Sequence, residues 1–236
     1  MTQARPIVLF LACLIGAVGL VGCGASDSAT AQAGTAVDPG EISLAITTTA
    51  CGHSSKTTGS GFWGSDGLVI TAAHVVIGAG DVSIETATGS VAADVIALDP
   101  QRDLALLRPA GSARPAAPMA DQTAQTGTAV TVLGSTSGRV DTTLGRQLTL
   151  RVDDVRAATR SERQGWDLPV TLAAGDSGAP VVDQRGQVVA MIFSGTAARD
   201  GRSFAIDAAE VLAFLNEASP GSWSCDPSAN QQVPSP

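Results

Sequence analysis

The sequence predicts an all-β chain: two antiparallel barrels of about six short strands each, followed by one C-terminal helix. Three observations predict it. Of 236 residues only 3% are aromatic, and the 44% hydrophobic content is mostly Ala, Val, Leu and Ile. The 26 glycines, with many Ser and Thr, suit short strands joined by turns rather than a helical bundle. Short apolar runs fall into two groups split by one Pro-rich crossing, without the intervening helices that a parallel α/β sheet needs.

The first group comprises residues 42–48, 68–71, 82–85, 91–98 and 104–107, apolar or alternating runs punctuated by Gly, Asp and Ser. The crossing covers 109–125 and contains Pro109, Pro115 and Pro118. The second group comprises 129–133, 146–152, 168–172, 180–182, 188–193 and 203–206. A helix over 207–217 follows. Asp207 serves as its cap, Glu210 stands three residues on in a capping-box arrangement, and Ala208, Val211, Leu212 and Leu215 share one face. Barrel one is thus expected at about 41–109 and barrel two at about 126–206, within a folded region spanning 41–219.

The ends read differently. Residues 1–22 form an export signal: Arg5 supplies the positive start, and an uncharged apolar run over 7–20 is short for a membrane span. The run ends in Leu20-Val21-Gly22-Cys23, which resembles the bacterial lipobox. That resemblance makes Cys23 the first mature residue, lipidated (diacylglyceryl and acyl chains, palmitate among them) and anchored at the outer face of the cell membrane. Several buried acyl chains hold stably, at about 0.8 kcal/mol per methylene. Residues 23–40, rich in Ala, Ser, Thr and Gly, form a flexible tether, and 220–236 form a loose tail apart from Trp223 and Cys225. Of the four cysteines, Cys13 leaves with the signal and Cys23 is lipidated. Cys51 and Cys225 remain, and an exported protein tolerates a disulfide between them.

The net charge is −8, with 22 acidic and 14 basic residues and a single lysine, Lys56. Such a surface is poorly suited to phosphate backbones, so nucleic acid is not an expected partner.

Serine is a weak nucleophile unless a base takes its proton and a third group orients that base. Only His53 and His74 are available as bases. His53 lies in a polar loop. His74 ends an apolar strand at a small-residue turn. The serine is Ser177, in Ala174-Gly175-Asp176-Ser177-Gly178-Ala179-Pro180, where glycines let the backbone turn tightly and could aim the Gly175 and Ser177 N–H groups at one spot. Asp99 and Asp103 are both candidate carboxylates. Asp103 leads into an apolar strand and can be partly buried, whereas Asp99 precedes a proline in a turn.

Thr71-Ala72-Ala73-His74, Asp103-Leu104-Ala105-Leu106-Leu107 and Gly175-Asp176-Ser177-Gly178-Ala179-Pro180, in that order, resemble the three signature blocks of the trypsin/chymotrypsin superfamily. Gly59-Ser60-Gly61-Phe62, Ser65-Asp66-Gly67 and the strand-turn-strand over 183–189 resemble its bacterial high-temperature-requirement (Deg) branch. The resemblance implies two six-stranded barrels of chymotrypsin-like type. It implies a serine endopeptidase acting on polypeptides, with His74 as general base, Asp103 as its orienter, Ser177 as nucleophile, and Gly175 and Ser177 as oxyanion-hole donors. No metal or cofactor is implied. Thr171 near the base of the P1 pocket, with Phe193 and Gly195 on its wall, suggests small or medium apolar P1 residues. Three departures stand out. Ala179 replaces a usual glycine and is tolerable only at negative φ. The chain ends soon after the helix, so the PDZ domain common in the Deg branch is expected to be missing. Asp176 pairs with a freed N-terminal amine in zymogen-type members, which a lipidated, distant N-terminus would not supply. The rival expectation is a catalytically weak or inactive protease-fold lipoprotein that binds partners or chaperones unfolded chains.

Overall fold

Six strands close on themselves in the first half of the chain. In this computed structural model, which describes residues 42–111, 116–154, 159–194, 201–219, 221, 223–226 and 231–234, they are β1 (Ser43–Ala50), β2 (Lys56–Trp63), β3 (Val69–Ala72), β4 (Ala79–Thr86), β5 (Gly89–Asp99) and β6 (Leu104–Pro109). They form an antiparallel barrel in the order β1-β2-β3-β6-β5-β4. Period-two alternation explains β1, which sends Leu44, Ile46 and Thr48 inward. β3 is buried along its whole length and so reads as a continuous apolar run. It leads straight into a one-turn helix, α1 (Ala73–Val76).

β2 was not expected from its sequence, because only Phe62 and Trp63 in it are large and apolar. Its glycines belong to the packing. A Cβ on Gly61 would lie 2.7 Å from Ile46 Cδ1 and 2.8 Å from the Ile70 carbonyl, so neighbouring side chains fill the space that β2 leaves.

The second half holds β7 (Ala129–Gly134), β8 (Gly138–Thr143), β9 (Gln147–Asp154), β10 (Thr159–Leu168), β11 (Pro180–Asp183), β12 (Val188–Ser194) and β13 (Ser203–Asp207). They form a seven-stranded sheet in the order β8-β7-β11-β12-β13-β10-β9. This corrects the expectation of a second closed six-stranded barrel. The edge strands β8 and β9 are consecutive in the chain, and residues 144–146 carry it from one edge to the other. Leu144 exchanges backbone hydrogen bonds with Gly127 and Thr128, while Gly145 and Arg146 exchange them with Asp167. The two edges are therefore joined through the chain rather than by a ladder between them. The strand expected at 168–172 ends instead at Leu168. Pro169 has no N–H for a ladder, and the amphipathic strand is the segment before it.

The Pro-rich crossing is pinned to both halves. Ala117 N–H donates to the Trp63 carbonyl at 2.8 Å, and Ala120 N–H to the Val188 carbonyl at 2.9 Å. The final helix, α2 (Ala208–Glu217), starts where expected, with Asp207 accepting from Ala209 N–H at 2.9 Å. Its buried face is Ala208, Val211 and Phe214, with Leu212 and Leu215 half-buried. Glu210 closes no capping box; it accepts from Gln164 N–H of β10 at 3.0 Å. The tail carries a short hairpin, β14 (Trp223–Asp226) with β15 (Gln231–Pro234). Cys51 and Cys225 form the expected disulfide, with 5.6 Å between Cα atoms. Cys23, the export signal and the tether lie outside the described residues. Among the described residues no helix is long and apolar enough to cross a membrane.

Candidate active site

β3 delivers His74 to the surface on the first turn of α1, and β6 begins one residue after Asp103. The β3–β6 register pairs Ala72 with Leu104, so His74 and Asp103 face each other across adjacent strand ends. His74 Nδ1 lies 2.7 Å from Asp103 Oδ2. The backbone N–H of His74 donates to Asp103 Oδ1 at 2.8 Å, and Ala73 N–H donates to the Asp103 carbonyl at 3.0 Å. Asp103 thus holds the imidazole and also satisfies orphan N–H groups at the start of the helix bearing it. To do so it takes a left-handed backbone, with φ of 52°, a conformation that non-glycine residues hold mainly where the surroundings over-determine it.

The Asp103 side chain is 6% exposed and that of His74 46%. With Nδ1–H committed to the carboxylate, Nε2 is the free acceptor. Burial disfavours the imidazolium, but the hydrogen bond and the negative charge of Asp103 outweigh it and raise the His74 pKa above its ordinary 6.5. Asp99, the other candidate, accepts from Arg102 N–H at 2.8 Å and pairs with its guanidinium at 3.3 Å. It therefore stabilises the turn that presents Asp103. His53 is exposed in the β1–β2 connection.

Ser177 follows a 3-10 turn over Ala174–Asp176 and is buried. Two contacts bring it to the same place. Its carbonyl accepts from Ser60 N–H of β2 at 2.8 Å. Gly178, with φ of 89°, presses so closely on β2 and β3 that a Cβ there would sit 2.1 Å from the Ser60 carbonyl and 3.1 Å from Ala72 N. The turn bearing Ser177 therefore lies against the backbone two residues before His74. Among the described residues Ser177 Oγ makes no hydrogen bond, to His74 or to any other group. Phe193 stands edge-on to His74, ring centroids 6.5 Å apart, and so flanks the imidazole. Thr171 is exposed, and Gly195 lies outside the described residues.

The oxyanion donors are not assembled as the sequence suggested. Ser177 N–H faces the Ala174 carbonyl at 3.4 Å. A trans peptide carries its C=O and N–H antiparallel, so this orientation turns Gly175 N–H away. Ala179 is not left-handed, and its methyl packs in the core of the second sheet, so the backbone there accommodates a side chain. Asp176 is fully buried and is held by neutral donors: Thr136 and Ser137 N–H at 3.0 Å each, Ala173 N–H at 3.0 Å, and the Ser137 hydroxyl. Sequence reasoning had no signal for this bracket, because three of its four donors are backbone. Among the described residues no cluster of three or more His, Cys, Asp or Glu side chains could hold a metal ion.

A closed antiparallel barrel and a second sheet, with a histidine–carboxylate pair and a glycine-flanked serine turn at their junction, define a protein of the trypsin-like class. The profile of the trypsin-like peptidase domain matches residues 58–191, more than half of the chain, and the chain belongs to that family. Serine protease Rv3671c of Mycobacterium tuberculosis is 31% identical over 163 residues, 66% of this chain and 41% of the relative. The putative serine protease HhoA of Synechocystis is 31% identical over 170 residues, 69% of this chain and 43% of the relative. The chain thus spans about two fifths of the curated relatives it matches. The crystal structure of the Rv3671c protease in its active form superposes with a TM-score of 0.71 at 26% identity, covering 77% of this chain and 82% of that one. An HtrA-type protease solved with a tripeptide shares the fold, with a TM-score of 0.62 at 20% identity over 75% of this chain and 60% of that one.

Proposed function

We propose that this chain is a serine endopeptidase of the Deg-like branch. In this reading it hydrolyses peptide bonds through an acyl-enzyme on Ser177, with His74 as general base and Asp103 as its orienter, while a lipidated Cys23 tethers it outside the cytoplasmic membrane. The observation that carries the catalytic part is the two-point grip of Asp103 on His74, through Nδ1 and through the backbone N–H, beside the anchored turn bearing Ser177.

The chemistry follows from those contacts. His74 Nε2 takes the Ser177 Oγ proton as Oγ attacks the substrate carbonyl carbon. The imidazolium that forms is stabilised by Asp103, as the raised pKa of His74 requires. Collapse of the tetrahedral intermediate breaks the C–N bond, the amine leaves with the proton from His74, and water then cleaves the ester by the same route in reverse. The oxyanion needs Ser177 N–H and Gly175 N–H, so rotation of the Ala174–Gly175 peptide accompanies acylation. Thr171 offers no negative charge to a basic P1 side chain, which favours small or medium apolar P1 residues.

A fluorophosphonate probe tests the catalytic reading. The purified protein should be labelled, and Ser177→Ala should abolish labelling. Absence of labelling in well-folded wild-type protein would instead favour a binding or chaperone module on a protease fold. The tether is tested by fractionation of a producing cell. Cys23→Ala should move the protein from the membrane pellet to the soluble exported fraction, and a variant that pellets like wild type removes the lipid anchor from the account.

A further inference from the structure

We infer that Ser60 is a positioning residue for the nucleophile turn, acting through a hydroxyl pair with Ser135; this deepens the serine-protease reading and rests on it. Ser60 belongs to Gly59-Ser60-Gly61-Phe62 on β2 of the first barrel, a motif to which the acylation chemistry assigns no role. It is fully buried and touches the turn at both ends. Its Oγ donates to the Gly175 carbonyl at 2.9 Å, and its N–H donates to the Ser177 carbonyl at 2.8 Å.

Ser135, in the β7–β8 turn, completes the device. Its N–H donates to Ser60 Oγ at 2.9 Å, which fixes that rotamer and leaves the Ser60 proton free for Gly175. The two hydroxyl oxygens are 2.8 Å apart. Ser135 Oγ also lies 3.1 Å from both the Gly175 and the Gly59 carbonyls, so its single proton serves Ser60 Oγ or one of these carbonyls. Thr71 Oγ1 donates to the Ser60 carbonyl at 2.7 Å and holds the clamp from behind.

The consequence shows when the peptide planes of the turn are taken one by one. The Gly175–Asp176 plane is held by the Ser60 hydroxyl on the Gly175 carbonyl at 2.9 Å and by Asp176 N–H on the Ala173 carbonyl at 3.0 Å. The Asp176–Ser177 plane is held by Ala179 N–H on the Asp176 carbonyl at 2.9 Å, and the Ser177–Gly178 plane by Ser60 N–H. The Ala174–Gly175 plane has only the long 3.4 Å contact with Ser177 N–H. Ser60 and Ser135 thereby confine the freedom of the turn to the one plane that must rotate to present the Gly175 donor. They also join the barrel carrying the base to the sheet carrying the nucleophile. Without the clamp the Gly175–Asp176 plane keeps only its N–H bond to the Ala173 carbonyl and is held at one end, so the productive geometry is populated less often.

The test compares wild type, Ser60→Ala, Ser135→Ala and the double variant in steady-state cleavage of a peptide ester and in the rate of fluorophosphonate labelling. Ser60 lies behind the turn, so its loss should act on kcat. Ser60→Ala should lower kcat by about tenfold or more and leave KM within about twofold. Ser135→Ala should lower kcat by about threefold to tenfold. The double variant should be no more than about threefold worse than Ser60→Ala, because the pair acts as a unit. A Ser60→Ala enzyme with wild-type kcat, or a loss confined to KM, overturns the assignment. Should Ser60→Ala fail to fold, the surface residue Ser135 decides alone: a kcat loss at constant KM supports the clamp and an unchanged kcat overturns it. Should wild-type protein neither label nor cleave, the protease reading falls. Amide exchange at Asp176, in the clamped plane, then decides the clamp: about tenfold faster exchange in Ser60→Ala supports it, and unchanged exchange overturns it.

Discussion

Catalysis and stability ask opposite things of the His74 proton. The general base proposed for the reaction must be neutral, whereas the contacts to Asp103 favour the charged ring and raise its pKa above 6.5 despite burial. The acid limb of kcat/KM should therefore fall above pH 6.5. The stability linked to this ion pair runs the other way: it is fully present below the unfolded value of 6.5 and is lost as pH rises through the higher folded value. In Asp103→Asn the charge is gone and burial remains, so the His74 pKa should drop below 6.5 and the pH dependence of stability should flatten. With only two histidines in the chain, imidazole proton resonances read this directly, His53→Ala identifying the second signal. A His74 pKa at or below 6.5 in wild type, or one indifferent to Asp103→Asn, contradicts the role given to Asp103. The triad candidates were legible because each is a chemical type placed in a recognisable string. The Asp176 bracket and the Ser60–Ser135 clamp were not, since their partners are mostly backbone groups, most of them distant in sequence.

Strands whose burial is periodic could be read from the chain, and those whose fit comes from neighbours could not. β1, β3 and β6 bury alternating or continuous apolar runs, and expectation and structure differ there only at the ends. β2 is built on Lys, Thr, Gly and Ser for six of its eight residues. It becomes a strand because Val75, Ile46 and Ile70 approach its glycines. β8 is an edge strand of exposed and half-buried residues, so no buried face marks it in the sequence. At α2 the cap Asp207 was legible, but its second oxygen accepts from Trp166 Nε1 at 2.8 Å, a long-range bond that no local pattern announces. Glu210 went to Gln164 rather than to its own helix end: a β10 amide left open at that point competes for the same carboxylate. A second closed barrel is not shown for a related reason: among the described residues the edge strands β8 and β9 share no ladder and meet only through the bend at 144–146.

Links between the two halves among the described residues include the serine clamp, the Ser43 hydroxyl on the Leu133 carbonyl at 2.6 Å, the Arg102–Glu217 ion pair at 2.6 Å, the pinned Pro-rich crossing, and the return of the tail to the first barrel. The tail is the one secured covalently. Gly221 N–H donates to the Ile96 carbonyl at 2.7 Å, Trp223 packs against the core of the first barrel, and Cys225 is bonded to Cys51 across 174 residues. Cys51 is itself buried, with its N–H on the Gly78 carbonyl at 2.7 Å, so the bond anchors the tail to an ordered point. A loop of that length removes much chain entropy from the unfolded state, worth roughly 5 kcal/mol on the loop-closure relation, although measured losses on removing native disulfides run from about 2 to 5 kcal/mol. The double variant Cys51→Ala/Cys225→Ala should therefore lose about 2–5 kcal/mol in urea unfolding. His74 lies on α1, Asp103 in the turn before β6 and Ser177 after the 3-10 turn, none of which contains either cysteine, so fluorophosphonate labelling of the still-folded variant should continue. A loss under about 1 kcal/mol would mean that the non-covalent contacts of Gly221 and Trp223 already hold the tail. Loss of labelling in a variant that stays folded would mean that the tail supports the site as well as the fold.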